Sequence, residues 1–298
     1  HIDVPLTNLS IAYNPPGYIA EGVFPSVPVQ KITDKYFIYS KGDWLRREAK
    51  PRAPGTRAVR GGYSLSNANY TCIESAFATP VTDEQVANSN APLNPMRDGT
   101  EFVTRQLLAE KESQVAAQVF GNSVWTGSAT PSVLWNNPTS TPLEDVETGF
   151  ESIVATIGYM PVVGVIGYNA WSDLKNHPDI VERIKGAAGP GAPAIVSLKA
   201  VAALFGLNDL QVGTQIENTG AEGAADTMAF IWGKHLWIGY VTSSPALMTP
   251  SAGYVVTYKN RVIERYREDQ EKQDVIAGYM SFDVLTTAAD AGYLFKSV

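Results

Sequence analysis

The sequence predicts an α+β fold in which extended segments and one long helix surround an inserted α/β unit. Three observations lead to this prediction. An extended, proline-containing N-terminal segment precedes two strand patterns that a long basic loop separates. A single long amphipathic helix follows at residues 98–120. Helices and strands then alternate over residues 141–260, before charged strands close the chain.

The composition is that of a globular protein with enough apolar residues for a sizeable core. Of the 298 residues, 44% are hydrophobic and 18% are charged, and the formal net charge is −7. Such an acidic chain is poorly suited to sequence-specific nucleic-acid binding, because phosphate neutralisation needs surplus Lys and Arg. No apolar run approaches the ~18 residues of a membrane span. The single cysteine, Cys72, excludes an internal disulfide and is expected to be buried in a strand.

Residues 1–30 are predicted to form an extended N-terminal arm. Prolines at positions 15, 16, 25 and 28 disfavour a helix interior in this segment. Its second half also carries apolar side chains that need a surface to pack on, which are Ile19, Val23, Phe24 and Val27.

Residues 31–73 are predicted to form a long hairpin. Two strand patterns rich in β-branched and aromatic residues, at 32–39 and 63–73, flank a loop at residues 40–62. This loop holds seven basic and two acidic residues, so its net charge is +5 and the rest of the chain carries −12. Hairpin loops usually contain about 2–5 residues, so a loop this long indicates either function or disorder.

The long loop can be interpreted as an arm that binds a neighbouring molecule. It cannot bury its own apolar residues or neutralise its own charge, and opposite charges on arm and body favour docking of one copy on the next. The alternative is a mobile surface loop with a stray tryptophan. The candidate interface residues on the arm are Trp44, Arg46, Arg47, Lys50, Arg52 and Arg57.

The helix predicted at residues 98–120 has an apolar stripe that includes Val103, Leu107 and Val115. We expect Asp98 to cap it, with Glu101 three residues later as in a capping box. Three acidic residues are expected on its outer side and are candidate partners for a neighbour's arm: Glu101, Glu110 and Glu112. The alternative interpretation of these acids is a solvated helix face.

A domain boundary is expected near Ser140, where an Asn-, Ser-, Thr- and Pro-rich stretch ends. In the α/β unit, residues 228–232 and 236–241 are predicted to pair as a tight hairpin. Trp232, Trp237 and Tyr240 would then form its packed face.

Sequence motifs for catalysis are missing. The chain has neither a Gly-x-Ser-x-Gly elbow nor a phosphate-binding loop of the Gly-x-x-x-x-Gly-Lys-Ser/Thr type. Surface positions are expected for His177 and His235, and with His1 they complete the histidines of the chain. We therefore predict no catalytic residue, no cofactor and no metal site.

The order of the parts resembles that of the major capsid proteins of tailed bacteriophages, which share the HK97-like fold. The stretches that carry the resemblance are residues 19–29, 52–56, 61–64, 98–120 and 290–294. Each local motif is weak, and the specificity comes from their order and spacing along nearly the whole chain.

The resemblance implies a domain assignment. It implies an N-terminal arm at 1–30, an E-loop hairpin at 31–73 and a P-domain at 74–140 with a spine helix at 98–120. An A-domain would follow at 141–260, and residues 261–298 would return to the P-domain.

The resemblance also implies the function and the partners. The chain would be a structural, non-enzymatic protein that assembles as hexamers and pentamers into an icosahedral shell around double-stranded DNA, which it would hold without sequence specificity. Scaffolding, portal or decoration proteins would be further partners, no membrane would be involved, and the protein would assemble in the host cytoplasm and reside in the virion. Two alternatives stay open: the shell protein of an encapsulin-like nanocompartment, and an α/β enzyme with its site in residues 141–260.

Overall fold

A computed structural model of the chain describes residues 5–7, 10, 17–188, 196–246 and 249–298. The first proline pair at 15–16 and His1 lie outside these residues. The helices are α1 Ala20–Val23, α2 Lys41–Leu45, α3 Asp83–Asn88, α4 Pro95–Val119, α5 Pro142–Ile157, α6 Tyr168–Lys175, α7 Pro178–Ala188 and α8 Leu198–Phe205. The strands are β1 Ser26–Pro28, β2 Thr33–Tyr39, β3 Leu65–Thr71, β4 Ile73–Thr82, β5 Gly127–Ala129, β6 Val163–Gly167, β7 Asp209–Gly213, β8 Ile216–Asn218, β9 Met228–Phe230, β10 His235–Gly239, β11 Gly253–Glu268, β12 Gln273–Thr286 and β13 Gly292–Lys296.

The predicted α+β class is confirmed by two main sheets. One has four strands in the order β1-β11-β12-β4, and α4 packs on its central part, where Gly278 of β12 leaves room for Val103 and Leu107. The other has five strands in the order β5-β13-β10-β6-β7, and α5 covers it, with Gly149 close to Phe295 and Ile238. Two separate two-stranded ribbons, β2-β3 and β8-β9, complete the described strands.

The long helix α4 begins and is capped differently from the prediction. Its N-cap is Asn94, whose side-chain oxygen accepts a hydrogen bond from the Arg97 N–H at 3.3 Å. Pro95 then occupies the first helical position, which its fixed φ and missing N–H suit. Asp98 therefore lies within the first turn, and Glu101 binds Arg97 at 2.8 Å, so the predicted capping box is wrong.

The N-terminal arm packs into the core of its own chain. Val23 and Phe24 are fully buried, as their apolar character predicted. The Phe24 ring contacts Trp125 and Trp237 edge-on, at centroid distances of 6.4 and 5.8 Å. Further along, β1 pairs in parallel with β11, with Val27 opposite Val256.

Glu112 connects the N-terminal arm to the long helix. Its side chain was predicted on the outer side of the helix, and that prediction is wrong. Its side chain is 1% exposed. Its carboxylate accepts hydrogen bonds from the N–H groups of Ile19 and Ala20 at 3.0 and 2.9 Å, and from Trp232 Nε1 at 2.6 Å. Burial raises the pKa of Glu112, although these donors act in the opposite direction.

Three segments that are distant in the sequence therefore meet at Glu112. They are the start of α1, the long helix and the loop before β10. The preceding residue, Lys111, is also buried and binds Glu21 Oε1 at 2.8 Å, which adds a second polar contact between α4 and α1.

The predicted hairpin over residues 228–241 is wrong. β9 pairs with β8, whereas β10 lies between β13 and β6, with Trp237 opposite both Leu294 and Val165. Because β10 is a buried central strand, its neighbours come from distant parts of the chain. Trp232 and Trp237 are nonetheless fully buried, as predicted, and Tyr240 is half-buried.

The C-terminal segment divides between the two main sheets. β11 and β12 belong to the sheet under α4. By contrast, β13 pairs with β10 and β5 in the five-stranded sheet. The predicted domain limits thus stay predictions, and the last strand does not follow the expected path.

Both histidines within the described residues are less exposed than predicted. His177 is buried, with Nε2 at 3.0 Å from Ser140 Oγ, and its Nδ1 accepts the Asp179 N–H at 3.2 Å. His235 is half-buried, and its Nδ1 accepts the Ser297 N–H at 2.9 Å. Burial lowers the pKa of His235, and the nearby Lys296 acts in the same direction.

The Glu112 contacts predict a large effect of truncation. Glu112→Ala leaves three donors without their acceptor. Because unsatisfied buried groups cost about 1–3 kcal/mol each, we expect the free energy of unfolding to fall by about 3 kcal/mol or more. Urea unfolding of the unassembled chain measures this free energy. Glu110→Ala is the matched control, since Glu110 is exposed on the same helix and its loss should change the free energy of unfolding by about 0.5 kcal/mol or less. Equal effects of the two substitutions would contradict the role of Glu112.

Candidate functional site

The long hairpin forms as predicted and is called the arm below, defined as residues 31–73. β2 and β3 pair antiparallel with Thr33 opposite Thr71 at the base and Tyr39 opposite Leu65 at the far end. Between them, residues 40–64 include the short helix α2, which the sequence analysis did not predict.

The base of the arm is fixed to the four-stranded sheet. Tyr70 and Cys72 are buried against Val256 of β11, as predicted for Cys72, and partly buried residues such as Tyr36 pack around them. The Thr71 N–H donates to the Asp283 carboxylate of β12 at 2.9 Å. The arm therefore leaves the body from a well-packed root.

The outer part of the arm exposes apolar side chains. Trp44 is 44% exposed and Leu45 64% exposed, although both lie in α2. The Trp44 ring lies on that of Tyr63, at a centroid distance of 5.4 Å, and Tyr63 is itself 62% exposed. Contiguous apolar exposure of this kind is typical of a surface that another molecule covers.

The positive charge of the arm is largely unneutralised within the described part of the chain. Arg46 reaches Glu48 only at 3.7 Å, and Arg52 donates to the Thr56 carbonyl oxygen at 2.5 Å. Four further cations make no ion pair with any described residue: Arg47, Lys50, Arg57 and Arg60.

One cation of the arm does bind the body of its own chain. Lys41 Nζ lies 2.5 Å from Asp290 Oδ2. This hydrogen bond and charge hold the pKa of Asp290 below its usual range. The contact ties the start of α2 to the body of the chain, while the basic residues that follow Leu45, Arg46 and Arg47, are exposed.

The three candidate acids of the long helix differ in accessibility. Glu101 is partly exposed but already binds Arg97 at 2.8 Å. Glu110 is exposed and accepts a hydrogen bond from Gln114 Nε2 at 2.6 Å. Glu112 is buried in its own chain, so it cannot receive a neighbour's arm.

Among the described helices, none is both long and apolar enough to cross a membrane. No group of three or more His, Cys, Asp or Glu side chains in this part of the chain is placed to hold a metal ion.

Comparison with known proteins identifies relatives over most of the chain. The major capsid protein of Pseudomonas phage JBD67 is 27% identical over 240 residues, which are 78% of this chain and 75% of the relative. That of Burkholderia phage BcepMu is 26% identical over 309 residues, covering 100% and 96%. No family model matches the chain.

Solved structures share the fold. A phage-related protein from Bordetella bronchiseptica has a TM-score of 0.76 at 24% identity and covers 99% of this chain and 97% of its own. The mature capsid of bacteriophage PhiM1 has a TM-score of 0.62 at 13% identity and covers 95% of this chain and 87% of its own. A virus-like particle from Pyrococcus furiosus has a TM-score of 0.60 at 10% identity and covers 98% of this chain and 96% of its own.

The chain is a homologue of phage major capsid proteins and has the HK97-like fold. The resemblance noted in the sequence is thereby confirmed, together with the structural role of a capsid shell protein. The assignment of the arm as the E-loop of this fold stays a prediction.

Sequence reasoning found the arm of the capsid protein but missed part of its surface. Tyr63 and Phe37 are more exposed than Trp44, yet neither was a candidate interface residue. Leu45 is also more exposed, and its place beside Trp44 in the basic loop marks it by the same signal, but it was not included among the candidate interface residues. Lys41 also binds Asp290, almost 250 positions away, and no local pattern predicts such a contact.

The packed base of the arm predicts an unreactive thiol. Burial raises the pKa of Cys72, which reduces the thiolate fraction and blocks access. At pH 8 we expect a disulfide reagent to modify Cys72 at least about 100-fold more slowly in the native chain than in guanidinium chloride, which corresponds to an opening free energy of about 3 kcal/mol. Equal rates in the two conditions would show that the base of the arm opens freely.

Proposed function

We propose that this chain assembles with copies of itself, as hexamers and pentamers, into an icosahedral shell that encloses phage double-stranded DNA. The observation that carries the proposal is the arm, which packs on its own chain at its base but leaves apolar side chains exposed and four cations without an ion-pair partner among the described residues. In this proposal, Trp44, Arg46, Arg47, Lys50, Arg52 and Arg57 contact a neighbouring copy. The exposed long-helix acids Glu101 and Glu110 are candidate partners for these cations.

The energetics of such an interface depend on repetition. Exposed ion pairs contribute only about 0–1 kcal/mol each, so a few of them cannot hold two subunits together. Buried aromatic and Arg anchors contribute most of the binding energy in typical interfaces, which suits Trp44 and its flanking arginines. In a closed shell every subunit makes the same contact, so small contributions add up over the particle.

The charge distribution supports packaging without sequence specificity. The chain outside the loop at 40–62 carries −12, so its surface has no general excess of cations to grip phosphates. A container of this kind encloses DNA without holding it tightly. We propose that assembly takes place in the host cytoplasm, with the virion as the final location.

The enzyme alternative has little support from the α/β unit. Ser140 and His177 are a serine and histidine within hydrogen-bond distance. However, the Asp179 N–H donates to His177 Nδ1, so in the neutral ring the hydrogen lies on Nε2. Nε2 then donates to Ser140 or to the Asn137 carbonyl and cannot accept the serine proton, as a general base would.

The nanocompartment alternative shares the fold but predicts a different cargo. It is less well supported, because both curated relatives are named phage major capsid proteins. We expect particles purified from a lysate of the producing phage to contain nuclease-protected double-stranded DNA, measured by extraction after nuclease treatment. Particles that hold a defined protein cargo and no nucleic acid would contradict the phage-shell proposal and support a nanocompartment.

Charge reversal tests the role of the arm. Arg46→Glu with Arg47→Glu replaces two exposed cations by anions, so repulsion should replace attraction at every copy of the interface. We expect particle yield to fall at least about tenfold, or particles to dissociate at lower salt, as measured by sedimentation over a salt series.

The matched control is Lys185→Glu with Lys199→Glu. Both lysines are exposed on helices of the α/β unit and make no ion pair with a described residue. This pair changes net charge equally and should leave assembly nearly intact. If the arm variant assembles with unchanged yield and salt tolerance, the proposed role of the arm is wrong.

A further inference from the structure

An exposed aromatic pair lies beside the long helix. Phe102 of α4 is 47% exposed and Phe77 of β4 is 38% exposed, and their ring centroids are 5.5 Å apart in an edge-to-face arrangement. These rings are not needed to fill the core, because α4 buries a separate stripe that includes Val103 and Leu107. Phe77 and Phe102 are called the aromatic patch.

The aromatic patch lies at an open edge of the four-stranded sheet. β4 is the last strand in the order β1-β11-β12-β4, and among the described strands none pairs with its outer side. Ile73, on the same face of β4 as Phe77 and four residues before it, is 70% exposed. An open edge with exposed apolar side chains is a site to which another chain can bind.

The charges around the patch include a free carboxylate. Asp98 precedes Phe102 by four residues, so the two are neighbours on one helix face. Asp98 is exposed and forms no ion pair with a described residue, whereas Arg97 and Glu101 bind each other. Arg105, three residues after Phe102, is the one cation among the residues three and four positions either side of it.

The tip of the arm carries the complementary set of side chains. Trp44 and Tyr63 form a second exposed aromatic pair, and Arg46 and Arg47 follow within three residues. In its own chain, Trp44 packs on Tyr63, and Lys41 at the start of α2 forms an ion pair with Asp290. The arm thus offers an aromatic ring beside two exposed arginines, of which Arg47 makes no ion pair with a described residue, and the patch offers aromatic rings beside an exposed carboxylate.

We propose that the aromatic patch of one copy receives Trp44 from the arm of a second copy, with Arg46 and Arg47 near Asp98. This inference rests on the proposed assembly function and specifies the receiving surface. Edge-to-face contacts between aromatic rings, together with cation–carboxylate contacts at their border, make the match specific.

A double-mutant cycle tests this pairing. Trp44→Ala and Phe102→Ala remove the two sides of one contact, so each should raise the protein concentration needed for particle assembly by about tenfold. The double variant should need a protein concentration for assembly no more than about twofold above that of the poorer single variant, because either substitution alone already removes the contact. Assembly is measured by sedimentation over a concentration series.

The cycle separates this inference from the proposed function. If the double variant raises the protein concentration needed for assembly by about a hundredfold, the two effects are independent and Trp44 contacts another surface. That result overturns the pairing but leaves the arm essential for assembly. If Trp44→Ala has no effect, both the pairing and the role of Trp44 in assembly are wrong. Met228→Ala, which truncates another exposed apolar side chain, is the matched control and should not couple to Trp44→Ala.

A cross-linking measurement keeps the test valid if Phe102→Ala weakens the fold. Leu45→Cys and Gln106→Cys place thiols next to Trp44 and Phe102, on residues that are both exposed. A short bis-maleimide should link assembled subunits of the double-cysteine variant into a ladder on a denaturing gel. Each single variant should give no ladder, and a double variant without a ladder would overturn the pairing.

Discussion

The rest of the structure supports one feature, an arm whose positive charge and apolar surface are exposed. Arg47, Lys50, Arg57 and Arg60 have no ion-pair partner among the described residues, and Trp44 projects beside them. Among the described residues, no partner neutralises these cations, so a second molecule with acidic side chains can gain free energy by pairing with them. An arm with this surface suits a subunit that assembles with copies of itself.

The body of the chain is built to hold that arm in a defined place. Cys72 and Tyr70 pack the base of the arm on β11, and Asp283 of β12 accepts a backbone hydrogen bond from it. The same two strands support the long helix, while Glu112 connects that helix to the N-terminal arm and to the loop before β10. The base of the arm, the long helix and the N-terminal arm are therefore joined through contacts to the same sheet and helix.

Much of the fold could be predicted because its signals are local. The stripe of Val103, Leu107 and Val115 fixes the long helix, and the two β-branched strand patterns fix the arm. The remainder depends on tertiary contacts that no local pattern shows. The local pattern around Trp237 predicts a tight hairpin, but its strand pairs with strands at Val165 and Leu294. The sequence around Glu112 likewise predicts a solvated acid, because its three hydrogen-bond donors come from distant segments.

The candidate site was predictable to a similar extent and for similar reasons. Surplus charge and a tryptophan within the loop identify the arm, whereas the partners of these side chains depend on the three-dimensional surface of a second copy. We propose that in the assembled shell the arm lies on that second copy. A cryo-electron microscopy map of assembled particles tests it most directly: we predict density for residues 41–63 across a neighbouring subunit. An arm tip folded onto its own subunit, without contact to any other, would contradict the account.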